Sequence, residues 1–121
     1  MILRRWYRDF LDRLAHLLHS GIPVREGLDM LARDASGARG RFAVHCRDRV
    51  MKGETLAEAF AGSQEPSPED VALVDAGERS GQLDRVLVKM VERIDRTRAL
   101  VLNLLPRIIY PVFLFSSATL L

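Results

Sequence analysis

A chain of 121 residues, 48% apolar and 28% charged, has the length of one domain and enough apolar content for a modest core, which excludes intrinsic disorder. Its formal net charge is only +2, with acids and bases mixed along most of the chain, so there is no basic footprint of the kind that marks a nucleic-acid binder. The single cysteine, Cys46, excludes an internal disulfide framework and fits a reducing compartment.

Aromatic residues are few, and the vocabulary of Leu, Ala, Arg, Val, Glu and Asp favours helices. Met1-Ile2-Leu3-Arg4-Arg5-Trp6 is not a signal peptide, because its arginines lead into an amphipathic pattern instead of a continuous apolar run with a small-residue cleavage site. The first predicted helix runs from about Leu3 to His19. Leu3, Phe10, Leu14, Leu17 and Leu18 recur at helical spacing, and Trp6, Tyr7 and Leu11 widen the stripe. Ser20-Gly21 ends it, and Pro23 suits the first turn of a second helix reaching about Ala35. Val24, Leu28, Leu31 and Ala35 give that helix one apolar face. Ser36-Gly37-Ala38-Arg39-Gly40 reads as a flexible corner before a third helix, Arg41 to Met51, which buries Phe42, Cys46 and Val50 and turns Arg47, Asp48 and Arg49 mainly to solvent.

Gly53 closes the third helix. Thr55-Leu56-Ala57-Glu58 then has the capping-box form, a hydroxyl followed three residues later by a glutamate, and starts a short fourth helix through Phe60, ending near Gly62. Ser67-Pro68-Glu69-Asp70 is a stronger start signal, with a serine cap, proline at the first helical position and two acids favoured by the helix dipole. The fifth helix carries Val71 and Val74 into Ala76-Gly77-Glu78-Arg79-Ser80-Gly81-Gln82-Leu83. Here two local rules fail together. Gly77 lies within a helical pattern, where glycine costs ~1 kcal/mol against alanine, which points to close packing, while Gly81 reads as a turn. Glu78 faces repulsion from the carbonyl end of its own helix, so it is expected to reach the free amides opening the sixth helix, as a remote N-cap, with Arg85 as second partner. An ordinary helix–Ser–Gly–helix corner is the competing reading.

The sixth helix is expected to be the longest, with Leu83, Val86, Leu87, Met90, Ile94, Val101 and Leu105 along one stripe. Glu92–Arg96 and Asp95–Arg98 lend weak support on its outer face. Pro106 breaks or kinks it where charge disappears. From Gln82 to Arg107 six cations stand against three acids, and the fourteen residues from Ile108 to Leu121 carry no charge. A membrane-spanning helix needs ~20 residues. The expectation is therefore an all-α, antiparallel six-helix bundle over residues 1–105, on the cytoplasmic side by its positive charge, with residues 106–121 the start of a truncated transmembrane helix.

Catalytic chemistry finds no foothold. His16 and His19 fall away from the apolar stripe and read as solvated, and adjacent His45 and Cys46 point to different faces. No four-ligand zinc spacing, phosphate-cradling loop or nucleophile elbow is present, and Glu69-Asp70 is explained by helix initiation. No catalytic, metal or cofactor-binding residue is assigned. Acids interleave with the arginines on nearly every helix, so no basic recognition face for nucleic acid results.

Four stretches in order resemble one family, the F-type inner-membrane platform proteins of type II secretion systems and type IV pilus machines. They are Ser20-Gly21-Ile22-Pro23-Val24 with Gly27-Leu28, then Lys52-Gly53-Glu54-Thr55-Leu56-Ala57-Glu58-Ala59-Phe60, then Gly77-Glu78-Arg79-Ser80-Gly81-Gln82-Leu83, and finally Tyr110-Pro111. The third resembles the family's GE-x-SG-x-L signature and is the most specific. The structural motif residues singled out on this basis are Gly21, Pro23, Gly53, Thr55, Glu58, Gly77, Glu78, Ser80, Gly81, Leu83, Tyr110 and Pro111. The resemblance implies a non-enzymatic subunit with two such cytoplasmic domains and about three membrane helices. It also implies contacts with the cytoplasmic assembly ATPase, other platform subunits, pilins or pseudopilins and membrane lipid, and a domain that pairs as a dimer. The alternative is a soluble helical adaptor or nucleic-acid-binding domain, and Ile108–Leu121 discriminates between them by spanning the membrane or packing as core.

Overall fold

Local capping chemistry sets the helix boundaries. The structure is a computed structural model that describes residues 5–34 and 36–100, and these residues form six helices and no strand. The first four are α1 (Arg5–His19), α2 (Val24–Asp34), α3 (Gly37–Met51) and α4 (Leu56–Ala61), followed by α5 (Pro68–Ser80) and α6 (residues 83–100). The expected continuation of the last helix and the apolar run beyond it, with Tyr110 and Pro111, lie outside the described residues. Among the described residues no helix is long and apolar enough to cross a membrane.

One boundary differs from expectation. The stretch Ser36–Gly40, read as a flexible corner, is mostly helix: Ser36 is the extended N-cap residue and α3 begins at Gly37. Gly40 is buried within α3, on the side that also buries Ala43 and Cys46. Composition that looks like a breaker thus sits inside a helix.

A single core joins all six helices. Phe10, Leu11 and Leu14 of α1, Leu28 of α2, Cys46 of α3, Phe60 of α4, Val74 of α5 and Leu87 of α6 are fully enclosed. Its centre is aromatic: Phe42 meets Phe10 edge-on with centroids 4.8 Å apart, Phe60 at 5.3 Å and Tyr7 at 5.9 Å. These are the separations and tilted geometries aromatic pairs prefer. No charged or polar side chain is buried among the described residues. Val50 and the stems of Arg47 and Arg49 are only half covered, and Arg47 reaches back to Asp29 of α2 at 3.5 Å.

Two widely separated contacts fix α6 against α1. The Arg8 guanidinium holds the Asp95 carboxylate through Nε–Oδ1 and Nη2–Oδ2, both at 3.1 Å, and His19 Nδ1 lies 3.5 Å from Asp84. Both contacts are eleven positions apart on their own helices, so α1 and α6 run antiparallel in matched register over about 16 Å of helix axis. On the other side, Gly77 of α5 lies against Val86 of α6, and Glu69 meets Arg93 at 2.7 Å, which makes α5 and α6 antiparallel as well.

Candidate functional site

The α5–α6 corner begins with Gly81, whose φ of +72° lies in the left-handed region that glycine enters without a Cβ penalty. Gln82 N donates to Gly77 O at 2.9 Å and Gly81 N to Glu78 O at 3.4 Å, the paired bonds of a Schellman ending. The same two-bond pattern ends α1 at Gly21, where Ile22 N donates to Leu17 O, and α3 at Gly53, where Glu54 N donates to Arg49 O. Ser80 Oγ donates to Gly77 O at 3.3 Å. Gly77 is buried because α6 passes directly over it: a Cβ there would stand 2.9 Å from Val86 Cγ2 and 3.1 Å from Leu83 Cα.

Glu78 does not do what the sequence reading expected. Its carboxylate accepts from Leu56 N through Oε2 and from Ala57 N through Oε1, both at 2.8 Å, so it caps α4 and not α6. Arg85 is exposed and forms no ion pair among the described residues. The reason is helical geometry. Successive residues point about 100° apart, so with Gly77 turned onto α6 its neighbour Glu78 faces a different helix, and α4 lies there.

The first three amides of α4, those of Leu56, Ala57 and Glu58, are thereby all capped. Four amides at a helix start have no intrahelical partner. Glu78 satisfies Leu56 and Ala57, Thr55 Oγ1 accepts from Glu58 N at 3.1 Å, and Ala59 N donates to Thr55 O at 3.0 Å. The Glu58 carboxylate meets the Thr55 hydroxyl at 3.3 Å and not its backbone amide, so the capping box suggested by Thr55 and Glu58 is only half formed. Ser67 and Asp70, in contrast, exchange both bonds, and Asp70 Oδ2 also accepts from Tyr7 OH at 2.8 Å. The reason for the role of Glu78 lies in the fold and not in the local sequence. Leu56 and Ala57 are almost wholly enclosed, so their amides are shielded from solvent and need an acceptor supplied by another element.

The motif residues divide into two groups in space. Pro23, Gly77, Glu78, Gly81 and Leu83 line one cleft of about 490 Å³ between the α1–α2 turn and the α5–α6 turn. Thr55, Glu58 and Glu78 line a second, of about 590 Å³, between α4 and α5. Glu78 alone borders both. Gly21 and Gly53 serve other turns, and Tyr110 and Pro111 lie outside the described residues. His16 and His19 are exposed, while His45 Nε2 is 2.8 Å from Ala59 O with its ring stacked on Phe42. Burial pushes the Cys46 thiol far up from its ordinary value, against a weaker opposing effect of Arg49. Among the described residues no group of three or more His, Cys, Asp or Glu side chains is placed to hold a metal ion. The arrangement ties the start of α4 to the end of α5 through one carboxylate.

The pattern of the family described as "Type II secretion system (T2SS), protein F" matches residues 10–121. The chain is 33% identical over 108 residues to the type II secretion system protein F of Vibrio cholerae, an alignment covering 88% of this chain and 27% of that protein. It is 30% identical over 112 residues to the type 4 fimbrial assembly protein PilC of Pseudomonas putida, covering 89% and 27%. To the type IV pilus assembly protein PilC of Myxococcus xanthus it is 26% identical over 106 residues, covering 87% and 25%. The chain thus spans about a quarter of the length of these relatives.

Proposed function

The chain belongs to the type II secretion system protein F family, and on that premise we propose that it is the cytoplasmic helical domain of a non-enzymatic inner-membrane platform subunit. In this reading residues 1–105 are a six-helix antiparallel bundle on the cytoplasmic side and residues 106–121 open a transmembrane helix. The subunit contacts the assembly ATPase and other platform subunits, and couples ATP hydrolysis elsewhere to the lifting of pilins or pseudopilins into a filament. It pairs with a second copy of itself. The observation that carries this is the family match across residues 10–121, which includes both the Glu78 corner and the apolar run.

The geometry supports a mechanical part. A displacement applied to α4 reaches α5 through Glu78, and one applied to α5 reaches α6 through Gly77 and the Arg93–Glu69 pair. The test is deletion of the gene in its host, with export of secreted enzymes and surface piliation measured. Loss of either, restored by the wild-type gene and accompanied by the protein fractionating with inner membranes, is expected. Normal export and piliation in the deletion strain, or a protein found wholly in the soluble fraction, would overturn the reading in favour of a soluble adaptor. Light scattering on the detergent-solubilised chain checks the pairing, which a monomer at high concentration refutes.

A further inference from the structure

We propose that one end of the helix assembly, carrying Arg5, Trp6, Arg41, Arg96 and Arg98, is a membrane-facing surface that binds anionic phospholipid headgroups. The register of α1 and α6 places these groups together. With Arg8 clamped on Asp95, Arg5 stands one turn before the clamp and Arg98 three residues after it, at the same level, with Arg96 alongside. Trp6 is half-buried and packs edge-on against Phe42 with centroids 5.6 Å apart, which brings the start of α3 to the same end, and Arg41 lines a shallow cleft with Trp6.

The charges of this end form no ion pairs among the described residues, although Arg98 also acts at longer range on Asp95. Arg5, Arg41 and Arg96 are exposed and Arg98 is half exposed. Arg8, in contrast, absorbs three acids: Asp95, Asp9 at 3.4 Å and Asp12 at 3.5 Å. The remaining acids nearby are Glu65 on the rim of the Trp6 cleft, Glu92 one turn back along α6, and Glu69 and Asp70 at the start of α5, which bind Arg93 and Tyr7. Beyond Asp95 the sequence has no further acid, and Arg96, Arg98 and Arg107 lead to the uncharged run from Ile108. A half-exposed indole among unpaired guanidinium groups, on the helix end that continues into an apolar segment, matches the chemistry of a lipid interface, where Trp anchors at headgroup depth and each nearby cation attracts anionic lipid.

This inference rests on the membrane reading above, and the experiment separates the two. The 121-residue chain is equilibrated with vesicles of phosphatidylcholine alone and with phosphatidylglycerol added, and its partitioning is measured by flotation. Trp6, the sole tryptophan, supplies an emission shift from the same samples. The expected result is salt-sensitive preference for the anionic vesicles with a blue shift of Trp6. That preference falls about fivefold for each of Arg5→Gln, Arg96→Gln and Arg98→Gln, and further in the triple variant that combines them. A control triple of Arg25→Gln, Lys52→Gln and Arg85→Gln removes the same charge elsewhere and leaves the preference near wild type. Circular dichroism verifies that both triples stay folded. Equal partitioning into the two vesicle types overturns the headgroup surface while leaving the membrane reading standing. Binding to neither overturns both. Equal losses in the two triples, or preference for duplex DNA over anionic vesicles, also overturns the surface.

Discussion

At the residue scale, Glu78 shows how a side chain that is unfavourable in its own helix becomes favourable in the fold. Next to the carbonyl end of α5 it meets repulsion, yet two amides of α4 bind it at 2.8 Å each. Glu78→Gln keeps one acceptor and loses the charge, so we expect a loss of about 1–2 kcal/mol, roughly 4–8 °C in melting temperature per kcal/mol for a domain of this size. Amide hydrogen exchange locates the effect: Leu56 and Ala57 should exchange faster, and the first amides of α6 should not. The reverse pattern would show that the carboxylate serves α6. Gly77 makes an independent prediction. Gly77→Ala gains helix propensity of ~1 kcal/mol but drives a Cβ into Val86 Cγ2 and the Leu83 backbone, neither of which can swing away. Net destabilisation of about 1–2 kcal/mol is expected in urea titration, with partial rescue when Val86→Ala is added.

At the scale of elements, α1 and α6 are held by a bidentate ion pair at one end and a weaker histidine contact at the other. The Asp95 carboxyl is held below the ordinary carboxylate range, first by its hydrogen bonds from Arg8 and further by the charges of Arg8 and Arg98. A carboxylate depressed by folding contributes stability that is present above its unfolded pKa and is lost as pH falls through the folded value. Both side chains are substantially solvated, at 29% and 45% exposure, so the pair stabilises by about 0.5–1 kcal/mol and no more. Acid titration of stability should therefore show a small loss below the ordinary carboxylate range in the wild type that Asp95→Asn lacks. High salt should narrow the difference. Two curves of identical shape would remove the pair from the account of acid stability.

At the scale of the whole molecule, stability comes from one apolar core shared by all six helices, since no polar side chain is buried among the described residues. Cys46 lies fully enclosed at its centre and burial raises its thiol, so both access and thiolate content oppose modification. Its labelling by a maleimide at neutral pH should be slow in the native protein and track global unfolding in urea. Rapid labelling without denaturant would show that the α3 face opens locally.

Much of this was legible from residue types in order. Ser67-Pro68-Glu69-Asp70 writes its own helix start, glycines at Gly21, Gly53 and Gly81 mark left-handed helix endings, and the apolar periodicity of α1 and α6 selects the buried faces, because each depends on neighbours within a few positions along the chain. The short chain motifs likewise carried the family, which the match over residues 10–121 shows. What the local pattern could not supply is which helix lies against which. Gly40 has a loop residue's composition yet lies buried in α3, and Glu78 adjoins α6 in sequence while its partners lie 21 and 22 residues upstream. Capping within a helix is a local property and can be read from sequence, whereas capping between helices requires the packing angle set at Gly77 and Gly81, and that angle exists only in the tertiary structure.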